Sequence, residues 1–136
     1  MTEPDVERIA RETLDAWNDD SWDRFEELWN PDAEIVTPAE WPEPGTFRGL
    51  ANVRAEFLRL KETWDTDKVE LLAIESRADR ALAHIRWSGT GPGSGFPFEL
   101  ELWWVGLVRD GRNQRIEYFM DEQSARRAYD SVAPPE

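Results

Sequence analysis

The stretch FPFELELWWVGLV at residues 96–108 decides the fold, because apolar and polar residues alternate along most of it. Alternation with period two is typical of a strand that buries one face of a sheet. Pro97, Glu99 and Glu101 occupy odd positions, so the even positions are predicted to face inward. The predicted inner face therefore carries Phe96, Phe98, Leu100, Leu102, Trp104, Gly106 and Val108.

The same alternation leaves three apolar residues, Trp103, Val105 and Leu107, on the outer face of this strand. A contiguous apolar patch on an exposed sheet face is typical of an interface between protein chains. We therefore predict a homodimer that forms through the outer sheet face.

Three further segments share the period of two, at Lys68–Ser76, Arg80–Gly89 and Asn113–Met120, and the strand above runs to Arg109. Short turn-forming segments separate the four strands, which predicts an antiparallel meander. In the second strand the alternation turns Ala83, Ile85 and Trp87 inward and His84 outward.

The register of the last two strands depends on the turn at Asp110-Gly111. A three-residue loop that ends at Gly111 keeps Arg115 and Glu117 off the inner face, and it pairs Trp104 with Ile116 and Leu102 with Tyr118. We predict this register, which also turns Met120 inward.

Helical periodicity dominates the first half of the chain. It predicts helices at Pro4–Asn18, from Ser21 to the stop at Asn30-Pro31, and from Leu50 to about Thr63, with a short strand at Ala33–Thr37. Prolines 38, 42 and 44 predict an irregular loop up to Arg48, and Asp121 is expected to cap a last helix that ends near Tyr129.

This order predicts an α+β fold, a single domain over residues 1–136 with its core at about 6–129 and a tail at 130–136. The net charge of −13, from 16 basic and 29 acidic residues, excludes a nonspecific nucleic-acid binder. There are no cysteines, and the longest strongly apolar run, Leu102–Val108, is too short to cross a bilayer. A soluble, cytoplasmic protein without a cofactor is expected.

Four segments, NDDSWDRFEELW (18–29), NPDAEIVTP (30–38), GTFRGLANVRAEFL (45–58) and VRDGRNQRIEYFMD (108–121), resemble the NTF2-like superfamily. The resemblance is closest to its SnoaL-like domains, which are related to ketosteroid isomerase and polyketide cyclase. It implies a cone-shaped, curved mixed or antiparallel sheet, with helices packed on the concave face around a ligand cavity.

The resemblance does not extend to the catalytic residues of the isomerase branch. Thr13 stands where that branch has its tyrosine, Thr37 where it has its aspartate base, and the third position falls near Trp104. None of these side chains abstracts a proton at neutral pH, so no catalytic residue is assigned.

The site residues that the fold implies are mostly aromatic, and a cavity lined by such residues is typical of a binding site for a hydrophobic molecule. Trp41 and Phe47 are placed on the loop, where they either close the mouth as a lid or cover a helix end. The predicted ligand-binding residues are Thr13, Trp17, Thr37, Trp41, Phe57, Trp64, Trp87, Leu102, Trp104, Tyr118 and Met120.

Other candidates for chemistry have simpler interpretations. His84, the sole histidine, faces outward, and Asp121 is explained by helix capping. The glycines at 89, 91, 93 and 95 lack the lysine and following helix that a phosphate loop needs. No transition-metal site is predicted, because only one histidine and no cysteine are present. The acidic composition leaves a carboxylate-only magnesium or calcium site open, but no calcium-loop spacing is present, so no metal ligand is assigned.

Three functional hypotheses follow. The first is a domain that binds a small hydrophobic molecule, neutral or cationic because the negative field repels anions. The second is an isomerase, cyclase or hydratase that acts on a polycyclic or terpenoid substrate, which requires a residue such as Tyr118 or Asp121 in the cavity. The third is a dimerisation module whose cavity is filled by its own tryptophans.

Overall fold

The computed structural model describes residues 3–41, 44–64, 66–91 and 97–131. Within them the helices are α1 (Glu3–Asn18), α2 (Trp22–Glu27), α3 (Leu50–Glu62) and α4 (Glu122–Ser131). The strands are β1 (Trp29–Thr37), β2 (Gly45–Arg48), β3 (Thr66–Arg77), β4 (Arg80–Thr90), β5 (Pro97–Arg109) and β6 (Arg112–Phe119). No helix of the described residues is both long and apolar enough to span a bilayer.

The strands form one curved, unclosed sheet in the order β2-β1-β6-β5-β4-β3. Strands β3 to β6 pair antiparallel in sequence order, which confirms the predicted meander. Strand β1 runs parallel to β6 and antiparallel to β2. The predicted α+β fold with a curved mixed sheet is confirmed.

The prediction for the inner face is also confirmed. Ala83, Ile85 and Trp87 of β4 are buried, as are Leu102 and Trp104 of β5. They share one hydrophobic core with residues of α1 and α3, among them Leu14, Trp17, Phe57 and Leu60. The long alternation at residues 96–108 therefore identified the buried face correctly.

The predicted pairing between β5 and β6 was wrong by two residues, although the faces were right. The turn is a two-residue loop in which Asp110 and Gly111 have φ of 56° and 79°, and Arg109 pairs with Arg112. Such positive φ values are typical of the tight turns that join two strands. A register shift between Leu107 and Val108 then leaves Gln114 as an extra residue, so Trp104 pairs with Tyr118 instead of Ile116.

Helices α1 and α3 pack on the concave face, as expected, and helix α4 lies on the opposite face of the sheet. Its Ala125 and Tyr129 are buried against Leu82 of β4 and Val105 of β5. Val105 is 3% exposed and is therefore covered by its own chain. The capping role of Asp121 is confirmed, since the Ser124 backbone N–H donates to its Oδ2 at 2.8 Å.

Two element boundaries also differ from the predictions. Strand β1 begins at Trp29, a residue that was assigned to the second helix. The pairing of β1 with β6 shifts register between Trp29 and Glu34, and this irregularity accommodates Pro31 within the strand. The predicted loop contains β2, which pairs with Glu34–Thr37 of β1. Pro42, Phe96, the glycines at 93 and 95 and the tail at 132–136 lie outside the described residues.

Candidate ligand-binding site

A cavity of about 50 Å³ lies between the inner face of the sheet and helices α1 and α3. A water molecule needs roughly 10–15 Å³ of such space, and a cavity of about 150 Å³ is known to bind benzene. In this conformation the cavity therefore has room for a small molecule only. Its walls are Thr13, Leu14, Trp17, Phe25, Trp41, Phe57, Leu60, Val69, Ile85, Trp87, Leu102, Trp104 and Tyr118.

Eight of the eleven predicted site residues meet at this cavity. They are Thr13, Trp17, Trp41, Phe57, Trp87, Leu102, Trp104 and Tyr118. Five further lining residues were not among the predicted ligand-binding residues: Leu14, Phe25, Leu60, Val69 and Ile85. Leu14 and Leu60 lie in the apolar stripes of α1 and α3, and Ile85 faces inward in β4, so the signal was present in the periodicity.

The other three predicted residues lie elsewhere in the core. Thr37 is buried at the end of β1, where its hydroxyl donates to the Gly45 carbonyl at 3.3 Å. Trp64 stacks on Phe98 with ring centroids 3.9 Å apart, and it lines a separate polar hollow. Met120 is partly buried against the core without lining the cavity.

The aromatic walls hold one another mostly by edge-to-face contacts, which the ring quadrupole favours. The Trp17 ring meets Phe57 at 5.5 Å and Trp87 at 6.1 Å, with interplanar angles near 80°. Trp41 lies just after β1 and is half-buried. Its ring contacts those of Tyr118 and Trp87, with centroids 5.3 Å and 6.4 Å apart. Trp41 therefore covers one side of the cavity, whereas Phe47 packs against the core outside the cavity lining.

Polar atoms in the cavity wall are few. The Thr13 hydroxyl donates to the Ile9 carbonyl at 2.7 Å and accepts from Asn113 Nδ2 at 2.8 Å, so its hydrogen bonds are satisfied within the chain. The Tyr118 hydroxyl, in contrast, makes no hydrogen bond to any of the described residues. Burial raises the pKa of Tyr118 above its usual value, so the phenol stays neutral at physiological pH. Tyr118 therefore offers a hydrogen-bond donor and does not act as a base.

The described lining contains no carboxylate and no histidine. His84 lies on the outer face, stacked on Trp103 at 4.5 Å, with its Nε2 2.7 Å from Glu101 Oε1. Asp121 is exposed, and the hydrogen bond from the Ser124 backbone N–H holds its pKa below the usual value. His84 and Asp121 therefore make their contacts outside the cavity.

Removing the Tyr118 hydroxyl tests whether it has a partner within the protein. Because no residue of the described chain pairs with it, Tyr118→Phe should leave the free energy of unfolding unchanged or raise it by up to about 1 kcal/mol. Urea unfolding measures this change. Thr13→Val is the matched control. It should lower the free energy of unfolding by roughly 1–2 kcal/mol, because it leaves the Asn113 side-chain amide without its acceptor. A loss of similar size in Tyr118→Phe would show that the hydroxyl is bonded inside the chain.

A buried carboxylate that the sequence analysis missed lies directly behind the aromatic wall. Asp67 Oδ2 accepts hydrogen bonds from Trp17 Nε1 at 2.8 Å and from Trp87 Nε1 at 3.0 Å, and Oδ1 accepts from Lys61 Nζ at 3.2 Å. The Asp67 side chain is only 7% exposed. The alternation of β3 could have identified Asp67, because it lies two residues before the inward-facing Val69 and therefore on the same face. The predicted strand began at Lys68 and so excluded it.

No three acidic or histidine side chains converge as metal ligands would within the described ranges. The absence of a metal and of a cofactor stays a prediction.

Solved structures similar to this chain share its fold at low sequence identity. Bal32a from a soil-derived mobile gene cassette is 19% identical, the alignment covers 93% of this chain and 97% of that one, and the TM-score is 0.80. TerC, co-crystallised with polyporic acid, is 16% identical, with coverage of 93% and 99% and a TM-score of 0.76. A protein of ketosteroid isomerase-like fold from Catenulispora acidiphila, in complex with trimethylamine, is 15% identical, with coverage of 86% and 88% and a TM-score of 0.73.

No curated protein matches the sequence significantly. The SnoaL-like domain, in contrast, matches residues 10–116, a range that runs from α1 through β6 and includes most of the cavity wall. With the curved sheet, the helices on its inner face and the cavity between them in view, this match shows that the chain belongs to the SnoaL-like domain family.

Proposed function

We propose that this domain binds a small, mostly apolar molecule, neutral or cationic, in the cavity between α1, α3 and the sheet. The observation that carries the proposal is the composition of the wall, which is aromatic and aliphatic apart from Thr13 and the Tyr118 hydroxyl, to which no described residue is hydrogen-bonded. Such a wall excludes water from an apolar ligand and offers one donor for orientation. The net charge of −13 disfavours anions.

The ligands of the similar structures do not decide the class of ligand. Trimethylamine and polyporic acid differ in size and charge, and at 15–16% identity their binders share only the fold with this chain. The proposal therefore depends on this chain's own cavity, whose volume of about 50 Å³ favours a molecule nearer to trimethylamine in size.

The enzyme hypothesis is weakened by the same geometry. A polycyclic or terpenoid substrate is larger than benzene, so it requires Trp41 to leave the cavity mouth. Neither a carboxylate nor a histidine of the described residues lines the wall to exchange a proton, and the raised pKa of Tyr118 disfavours the phenolate.

One experiment distinguishes a ligand-binding cavity from a cavity that is filled by its own tryptophans. We expect tert-butanol, a compact molecule with one hydrogen-bond acceptor, to raise the melting temperature of the wild-type protein at low millimolar concentrations. Trp104→Phe should lose most of this ligand-dependent shift, because Trp104 lines the cavity. Differential scanning calorimetry with and without tert-butanol measures both effects.

Trp29→Phe is the control for losing a core indole. Trp29 is 1% exposed and contacts Phe25 and Phe57, but it does not line the cavity. This variant should melt lower than wild type and keep the full shift. Equal loss of the shift in both variants, or no shift in the wild type, would contradict ligand binding and favour the filled cavity.

A homodimer through the outer sheet face also stays a proposal, on a smaller surface than predicted. Val105 is covered by α4, which leaves Trp103 and Leu107 as the partly exposed apolar residues of β5. The Trp103 ring stacked on His84 gives this face a flat aromatic surface on which a second copy could pack. A dimer of this kind should dissociate when Trp103 is replaced by aspartate.

A further inference from the structure

The carboxylate of Asp67 joins two walls of the cavity from behind. Trp17 belongs to α1 and Trp87 to β4, and both direct their indole N–H groups to the same Oδ2 atom. Their rings, and not their polar edges, therefore line the cavity. The carboxylate is nearly inaccessible to solvent, so water and salt screen its charge little, and Lys61 is the cation that partly compensates it.

A hydrogen bond from an indole N–H to a carboxylate changes what the ring offers to a ligand. The negative face of an aromatic ring attracts cations, and tryptophan is the best of the aromatic residues in this role. Because the N–H is its positive edge, a carboxylate oxygen that accepts its hydrogen bond leaves the ring face more negative. Two such rings border this cavity.

The neighbouring Lys61 places a cation beside the Trp17 ring. Its Nζ lies 4.7 Å from the centroid of the Trp17 ring, and it also contacts Asp20 Oδ1 at 3.0 Å and Asp67 Oδ1 at 3.2 Å. Lys61 thus bridges the buried Asp67 and the exposed Asp20. No lysine or arginine of the described residues lines the cavity itself.

We propose that the cavity selects a small alkylammonium cation over a neutral molecule of the same shape, and that Asp67 determines this specificity through Trp17 and Trp87. This inference rests on the proposed function, because it names the ligand class of the same cavity. Asp67 does not touch the ligand. It holds the two indoles in place and makes their faces more negative.

The test compares two probes of similar shape that differ in charge, tetramethylammonium chloride and tert-butanol. Saturation-transfer NMR and titration of tryptophan fluorescence give the dissociation constants at an ionic strength held constant with NaCl. We expect the wild-type protein to bind tetramethylammonium at least about tenfold more tightly than tert-butanol. Asp67→Asn keeps the shape and one acceptor, and it should reduce this ratio to about threefold or less.

Asp20→Asn is the matched control, because it removes the same charge from the same lysine but accepts no indole hydrogen bond. It should keep the wild-type ratio. Trp87→Phe, which cannot donate to Asp67, should reproduce the loss of Asp67→Asn and serves as the second variant if Asp67→Asn melts too low to study.

The outcomes separate this inference from the function on which it rests. Equal wild-type affinity for the two probes would overturn the cation selectivity and leave ligand binding intact. Binding of neither probe would overturn the proposed function itself. Equal weakening of both probes in Asp67→Asn and Trp87→Phe would reduce Asp67 to a structural role, and loss of the ratio in Asp20→Asn would assign the effect to overall charge.

Discussion

Val105→Asp should destabilise the protein by about 4 kcal/mol or more, because it places a carboxylate between the sheet and α4. Val105 is 3% exposed, and its neighbours Leu82, Ala125 and Tyr129 are buried with it. Leu82 and Ala125 offer a carboxylate neither a positive charge nor a donor, and Glu117, the cross-strand partner of Val105 on β6, is itself acidic. Urea unfolding monitored by far-ultraviolet circular dichroism measures the loss, which approaches the whole stability of many domains of this size.

The control lies on the same face of the same strand, two residues away. Trp103 is partly exposed, so Trp103→Asp should cost less than about 2 kcal/mol and act instead on association. Sedimentation velocity should show Trp103→Asp as a monomer if the outer face forms the dimer. A Val105→Asp variant that unfolds like the wild type would contradict the position of α4, and an unchanged dimer in Trp103→Asp would contradict the proposed interface.

Asp67→Ala should lower the free energy of unfolding by about 3–5 kcal/mol, because it removes the acceptor for three donors at once. The indole N–H groups of Trp17 and Trp87 would lose their acceptor, and the ammonium of Lys61, which is 11% exposed, would keep only Asp20. Urea unfolding again measures the change. Because the cavity wall loosens, tryptophan fluorescence should also change in the folded protein.

The comparison for this variant is Asp20→Asn, which removes the other carboxylate from Lys61. The Asp20 side chain is 69% exposed, and exposed ion pairs contribute about 0–1 kcal/mol. Asparagine also tolerates the positive φ of 53° at this position. Similar losses in the two variants would mean that the indole hydrogen bonds to Asp67 contribute nothing measurable.

The sheet faces were predictable because the alternation of side chains is a local property of each strand. The register was not, because Asn113, Gln114 and Arg115 are all polar and no pattern marks Gln114 as the extra residue. The position of α4 was not predictable for a similar reason. An apolar residue such as Val105 on an outer face looks the same in the sequence whether a helix of its own chain or a partner covers it.

The aromatic wall of the site was largely predictable, because inward phase and residue type both follow from the sequence. The role of Asp67 was not predictable, because it depends on an indole 50 residues away in α1 and another 20 residues away in β4. A carboxylate at the start of a strand is ordinarily exposed, and only the fold brings three donors to it. The size of the cavity likewise depends on how Trp41 packs against Tyr118.

The parallel pairing of β1 with β6 has a consequence for how the chain reaches this structure during synthesis. Glu34 and Arg115, whose side chains are hydrogen-bonded at 3.0 Å, are 81 residues apart, whereas the β3–β4 and β5–β6 hairpins close over short turns. Loop closure over such a separation is slow compared with local pairing. During synthesis on a ribosome, β1 cannot pair with β6 until β6 has left the exit tunnel. The tryptophans of α1 and α2 are therefore synthesised long before the sheet that buries them is complete.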